Sequence, residues 1–159
     1  AQYYHLTTLN NVYPHNRESQ MNLATLLSQD GRWAEAIPVL ERSLSYTRGR
    51  EQQVVETLGW LGTAKLRVGE TEEAVVLLES IPRDYPGQIG LSLRAYGNLI
   101  KYAVDLGDRS AVDRYLEELQ AYANRLKDTG QADSYPLLGR RMAQLLTMGG
   151  DKVAAKRWQ

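Results

Sequence analysis

Leu61-Gly62, then Gly69-Glu70-Thr71-Glu72-Glu73-Ala74, then Leu78 and Pro86: this stretch decides the fold. Gly69 stands between two segments of helical periodicity, where a residue without Cβ lets the chain turn left-handed and reverse. The acidic run after it suits the first turn of a second helix, because carboxylates complement the dipole there. Gly62 and Ala74 are small enough for two antiparallel helices to approach closely, and Leu61 and Leu78 fill the space around them. Moving outward, Gly31 lies 38 residues before Gly69, and Gly107 lies 38 residues after it. Ala36, Ala74 and Val112 follow these glycines by five residues, and Leu40, Leu78 and Leu116 follow by nine. Leu23, Leu61 and Leu99 precede them by eight, each followed by Ala24, Gly62 or Ile100. A fourth copy centres on Gly150, 43 residues after Gly107, with Met142 and Ala143 upstream and Ala155 downstream.

One helix pair cannot bury its own apolar face, so copies of such a unit must stack. The expected fold is all-α: a right-handed α-solenoid of stacked antiparallel helix pairs. The pattern Leu23-Ala24, Gly31-Arg32-Trp33-Ala34-Glu35-Ala36, Leu40 resembles a tetratricopeptide repeat, and the Leu61–Pro86 copy resembles it more closely. The third copy carries Val112 where that family prefers Ala, and the fourth has a doubled Gly149-Gly150 and a short second helix. The resemblance covers residues 17–159 and divides them into repeats at 17–54, 55–92, 93–130 and a truncated 131–159. Residues 1–16 read as an N-terminal segment, the last helix of a preceding repeat. The period of 38 exceeds the family's usual 34 by one helical turn, as in long-period arrays of bacterial regulatory proteins.

Three Tyr-Pro pairs, Tyr13-Pro14, Tyr85-Pro86 and Tyr135-Pro136, each precede the first helix of a unit. Proline disfavours helix in the residue before it and is welcome at a helix start, so each pair separates two units, its tyrosine packing in the joint. Pro38 falls early in a second helix and withholds the donor that Ala34 would receive, a cause of mild bending. The chain opens Ala1-Gln2-Tyr3-Tyr4-His5, without initiator Met, basic region or apolar stretch. It closes on Ala154-Ala155-Lys156-Arg157-Trp158-Gln159, a helical reading with no stop signal. An excerpt of something longer is the expectation, and the lack of a targeting segment favours the cytoplasm.

Composition narrows the chemistry. The 159 residues carry 19 Lys plus Arg against 19 Asp plus Glu, with no Cys and no Phe but 10 Tyr and 3 Trp. Without Cys there is no disulfide scaffold, thiol nucleophile or thiolate metal site. Balanced charge argues against direct nucleic-acid binding, which needs clustered cations. The longest aliphatic run, Val75 to Leu78, is too short to cross a bilayer. The two histidines, His5 and His15, have no flanking carboxylate pattern, and no Gly-x-Ser-x-Gly elbow or phosphate loop is present. Glu70, Glu72 and Glu73 read as solvated first-turn charges. No enzyme, metal or cofactor is expected. Arg140-Arg141 with Lys152, Lys156 and Arg157 form the one basic cluster, either a solvated face or a patch that receives an anion.

The resemblance implies that the first helices line a concave groove for a peptide or partner helix. The residues placed there are Met21, Asn22, Thr25 and Gln29 in the first copy and Trp60, Thr63 and Arg67 in the second. The third copy contributes Arg94, Asn98 and Lys101, the fourth Arg140, Arg141 and Gln144. Trp60 reads as either core packing or an interface anchor. Some members grip a C-terminal carboxylate with Lys and Asn at groove positions that fall here on Met21, Thr25, Trp60, Arg94 and Asn98. Of these only Arg94 is a cation, which disfavours a chaperone-tail adaptor. The expected function is therefore a protein–protein interaction module, with self-association through exposed repeat ends. The alternatives are a sensing domain of a larger transcription or signalling protein and an assembly scaffold of an envelope or secretion complex.

Overall fold

Four glycines end four helices in the same way. Gly31, Gly69, Gly107 and Gly150 have φ of 74°, 88°, 71° and 89°, the left-handed region that the reversal needs. After each, the next N–H reaches back five residues: Arg32 to the carbonyl of Leu27, Glu70 to Lys65, Asp108 to Ala103 and Asp151 to Leu146, at 2.8–2.9 Å. These bonds satisfy carbonyls that a helix end otherwise leaves open.

The structure, a computed structural model, describes Tyr4, Thr7, Thr8, residues 16–47 and residues 50–159. Tyr13, Pro14, His5, His15 and most of the N-terminal segment lie outside the described residues. The described chain is all-helical, without a strand. Helices α1 (Arg17–Gln29) and α2 (Trp33–Ser45) form the first pair, followed by α3 (Glu51–Val68) and α4 (Thr71–Asp84). Then come α5 (Ile89–Leu106), α6 (Arg109–Asp128), a single 3-10 turn at Gln131–Ser134, α7 (Leu138–Met148) and α8 (Lys152–Lys156). Side-chain caps start several of them: Asn16 accepts from the Ser19 N–H, Asp108 from Ala111 and Asp151 from Ala154. Positions 55 and 93, where the second and third repeats were expected to begin, lie inside α3 and α5. Both helices are 18 residues long, so they start about one turn earlier than expected. The C-terminal helix also stops earlier than its sequence suggests, with Arg157 as its cap.

The chain forms two compact units, residues 1–78 and 79–159. In the first, α1 packs on α2 and α2 on α3. Helix α4 comes so close to α3 that a Cβ on Gly62 would lie 2.7 Å from Leu78 Cγ. Leu40 and Leu78 are fully buried, and Leu40 shares one buried cluster with Ala24, Leu27, Ala36 and Leu61. Charge and sulfur contacts also join α1 to α3: Arg17 Nη2 lies 3.0 Å from Glu56 Oε2, and the Thr57 hydroxyl donates to Met21 Sδ at 3.6 Å. In the second unit α5 packs on α6, α7 on both, and α8 on α7. Its core holds Leu93, Leu99, Ile100, Leu119, Tyr122 and Leu145. The Tyr122 hydroxyl donates to the Pro86 carbonyl at 2.7 Å. The Tyr135 ring lies against the first turn of α5, 3.5 Å from where a Gly90 Cβ would stand. That matches the joint-packing role expected of a Tyr-Pro tyrosine. Pro38 sits within α2 as expected, and Pro82 within α4 is a second interior proline that the repeat pattern did not reveal.

Candidate interaction surface

Helix α1 meets both α2 and α3, so a broad arc of it is buried. Met21, expected on the exposed stripe, is therefore buried, its sulfur facing Thr57 of α3. Thr25 is half-buried and donates back to the Met21 carbonyl at 2.8 Å. Asn22 and Gln29 are exposed on α1. On α3, Trp60 and Thr63 are half-buried and Arg67 is exposed. The Trp60 ring packs against the buried cluster of the first unit, and the Arg67 guanidinium stands 5.8 Å over the Trp33 ring.

The second unit exposes more cationic groups. Arg94 and Lys101 are exposed on α5 with Asn98 half-buried between them, and Lys101 pairs with Asp105 one turn on at 2.8 Å. On α7, Arg140 and Gln144 are exposed, and Arg141 Nη1 donates to Gln144 Oε1 at 2.6 Å. Gly97 makes room for α7: a Cβ there would meet Leu145 Cδ2 at 3.2 Å and Arg141 Nη2 at 3.6 Å. The structure thus brings Arg141 and Gln144 together, with the Arg141 guanidinium beside Gly97 of α5.

Two charged clusters were not anticipated. Lys65 lies within the first unit with its side chain 8% exposed, its Nζ 2.6 Å from Glu70, 2.7 Å from Glu73 and 3.8 Å from Glu41. Hydrogen bonds to Glu70 and then Glu73 hold its ammonium well above the usual lysine range, overcoming burial. Of the three acidic residues read as solvated charges, two therefore converge on a buried lysine, and Glu72 alone keeps the simple role. In the second unit, Glu79 Oε1 receives Arg114 at 3.0 Å and the Tyr115 hydroxyl at 3.2 Å. The Arg114 guanidinium also lies 4.4 Å over the Tyr115 ring. Burial chiefly pushes the Tyr115 phenol up to about 12, and Tyr96 likewise. Burial also raises the Glu118 carboxyl, with Arg114 opposing and Glu79 adding. The signal for this cluster was the spacing, since Tyr115 follows Glu79 by 36 residues, close to one repeat.

Among the described residues no three His, Asp or Glu side chains are grouped so as to hold a metal ion. Among them, too, no helix is long and apolar enough to cross a membrane. No protein-family model matches the chain, and no curated protein matches it.

Proposed function

We propose that the chain is a tetratricopeptide-like α-solenoid module that binds a protein or peptide partner on the exposed faces of its first helices. The supporting observation is the register of its long-range polar contacts. Arg17 to Glu56 spans 39 residues, Thr57 to Met21 36, Tyr122 to Pro86 36 and Arg109 to the Gly149 carbonyl 40. Contacts at nearly constant separation are what stacking of like units produces, each unit touching its neighbours. Stacking consumes the apolar faces and leaves polar stripes of the first helices for a ligand. In the second unit that stripe carries Arg94, Lys101 and Arg140, which favours acidic side chains or a terminal carboxylate in the partner.

A random-peptide library selected on the chain tests this reading. Acidic peptides should be enriched, and the enrichment should vanish for Lys101→Glu combined with Arg140→Glu, both exposed positions where the fold persists by circular dichroism. Absence of any enriched class, or acidic peptides indifferent to the double reversal, overturns it.

A further inference from the structure

Val76 is 63% exposed on α4, although Ala74 and Leu78 on the same helix are fully buried. It edges a cleft of about 450 Å³ in the first unit, whose apolar wall is completed by Leu61 and Leu77. Glu41, Glu72 and Glu73 stand around that wall, and Lys65 lies beneath them. The lysine is held by Glu70 and Glu73, so its charge is already matched. Counting Glu41, Glu72 and Glu73 against Lys65, the lining of the cleft has three carboxylates to one ammonium. An apolar floor inside an acidic rim complements a ligand that is itself apolar and basic on one face. Because the Lys65 ammonium sits among the carboxylates, the cluster is not arranged for a metal ion.

We propose that this cleft is a second docking site, for a basic amphipathic peptide segment of a partner protein. An aliphatic side chain of that segment lies on Val76 and Leu77, and its Lys or Arg residues meet Glu41 and Glu72. The site shares no residue with the first-helix faces and prefers the opposite ligand charge, so it stands independently of the proposed function.

The probe is a fluorescein-labelled helical peptide with Leu on one face and Lys on the other, followed by fluorescence anisotropy. Two control peptides replace every Lys by Glu or every Leu by Ser. The Lys-Leu peptide should bind saturably, and Val76→Ser should weaken it roughly tenfold. Glu72→Lys should weaken it by roughly three- to tenfold at low salt. Both positions are exposed, and unchanged melting of the variants separates lost binding from lost fold. The Glu-Leu peptide should not bind. The proposal is overturned if the Lys-Leu peptide fails to saturate or if the Lys-Ser peptide binds as well. It is also overturned if neither substitution changes the affinity.

Discussion

Replacing Gly62 by Ala sets two effects of known size against each other. Gly62 is interior to α3, so alanine should gain about 1 kcal/mol of helix propensity. The added Cβ would however lie 2.7 Å from Leu78 Cγ, 2.9 Å from Leu78 Cδ2 and 3.4 Å from the Ala74 carbonyl oxygen. Ordinary carbon–carbon contact is about 3.5–4.0 Å, so the branch point of Leu78 must retreat by about 1 Å. Leu78 is 0% exposed, so it cannot retreat into solvent. Overpacking of this kind costs roughly 1–3 kcal/mol, so packing outweighs propensity and the variant should lose about 1 kcal/mol. Gly62→Val, which adds two further carbons, should lose about 3 kcal/mol. The assay is urea unfolding followed by far-ultraviolet circular dichroism, with the slope compared between variants. The decisive comparison is a double-mutant cycle with Leu78→Ala. In that background the obstruction is gone, and Gly62→Ala should become stabilising by roughly 0.5–1 kcal/mol. Gly90→Ala provides a control, because its Cβ would meet the Tyr135 ring at 3.5 Å, an ordinary contact, and should not destabilise. If Gly62→Ala stabilises the otherwise native chain, or if its sign is unchanged beside Leu78→Ala, the close approach of α3 and α4 is refuted.

Tyr122→Phe keeps the ring contact with Tyr96, whose centroid lies 6.0 Å away, but removes the hydroxyl that donates to the carbonyl of exposed Pro86. It should destabilise by roughly 0.5–1.5 kcal/mol in the same urea assay, and a change within error would show that the hydroxyl bond is dispensable. Alkaline stability should fall in a defined window. Tyr96 and Tyr115 move from 10.0 to about 12 in the folded chain, so folding favours their neutral forms. Their contribution is complete below pH 10 and is lost as the pH rises toward 12, and Lys65, also raised, acts in the same direction. Tyrosinate absorbance recorded with circular dichroism should show late-titrating phenols ionising together with loss of helix. Ten tyrosines all ionising near pH 10 with the helices intact would contradict this.

Much of the helical framework was legible because it rests on residues whose physical role is local. A glycine at a helix end needs only its own φ, and Gly31, Gly69, Gly107 and Gly150 announced their turns accordingly. The irregular step from Gly107 to Gly150 was visible as a number but not as a cause. The structure supplies it: α6 runs to 20 residues, a 3-10 turn follows, and α7 is shortened to 11. The exposed stripe was less legible, since helical periodicity assigns one buried arc while a stacked helix has two neighbours. Met21 was misplaced for that reason, its second neighbour being Thr57, 36 residues away. Lys65 was missed because charged residues read as solvent-facing unless partners converge on them, and Glu41, Glu70 and Glu73 come from two other segments of chain.

The balanced charge of the whole chain conceals where its charge acts. Nineteen cations against nineteen anions predict no field, yet a helical repeat presents its residues in local stripes, and each stripe has its own sum. In the second unit the stripe bears Arg94, Lys101 and Arg140; in the first, the cleft at Val76 bears Glu41 and Glu72 over an internally matched Lys65. At physiological salt, exposed charges interact over about 8 Å, so each site responds to its own residues rather than to the chain average. On the two proposals made above, one neutral chain binds two ligand classes of opposite sign. Raising the salt weakens both, so salt dependence cannot tell them apart, whereas reversing one charge can. Glu72→Lys should spare acidic peptides while weakening basic ones, and Arg140→Glu should do the converse. A reversal that moved both classes together would mean that they share a single site, which would remove the second docking site and leave the first-helix face to be tested alone.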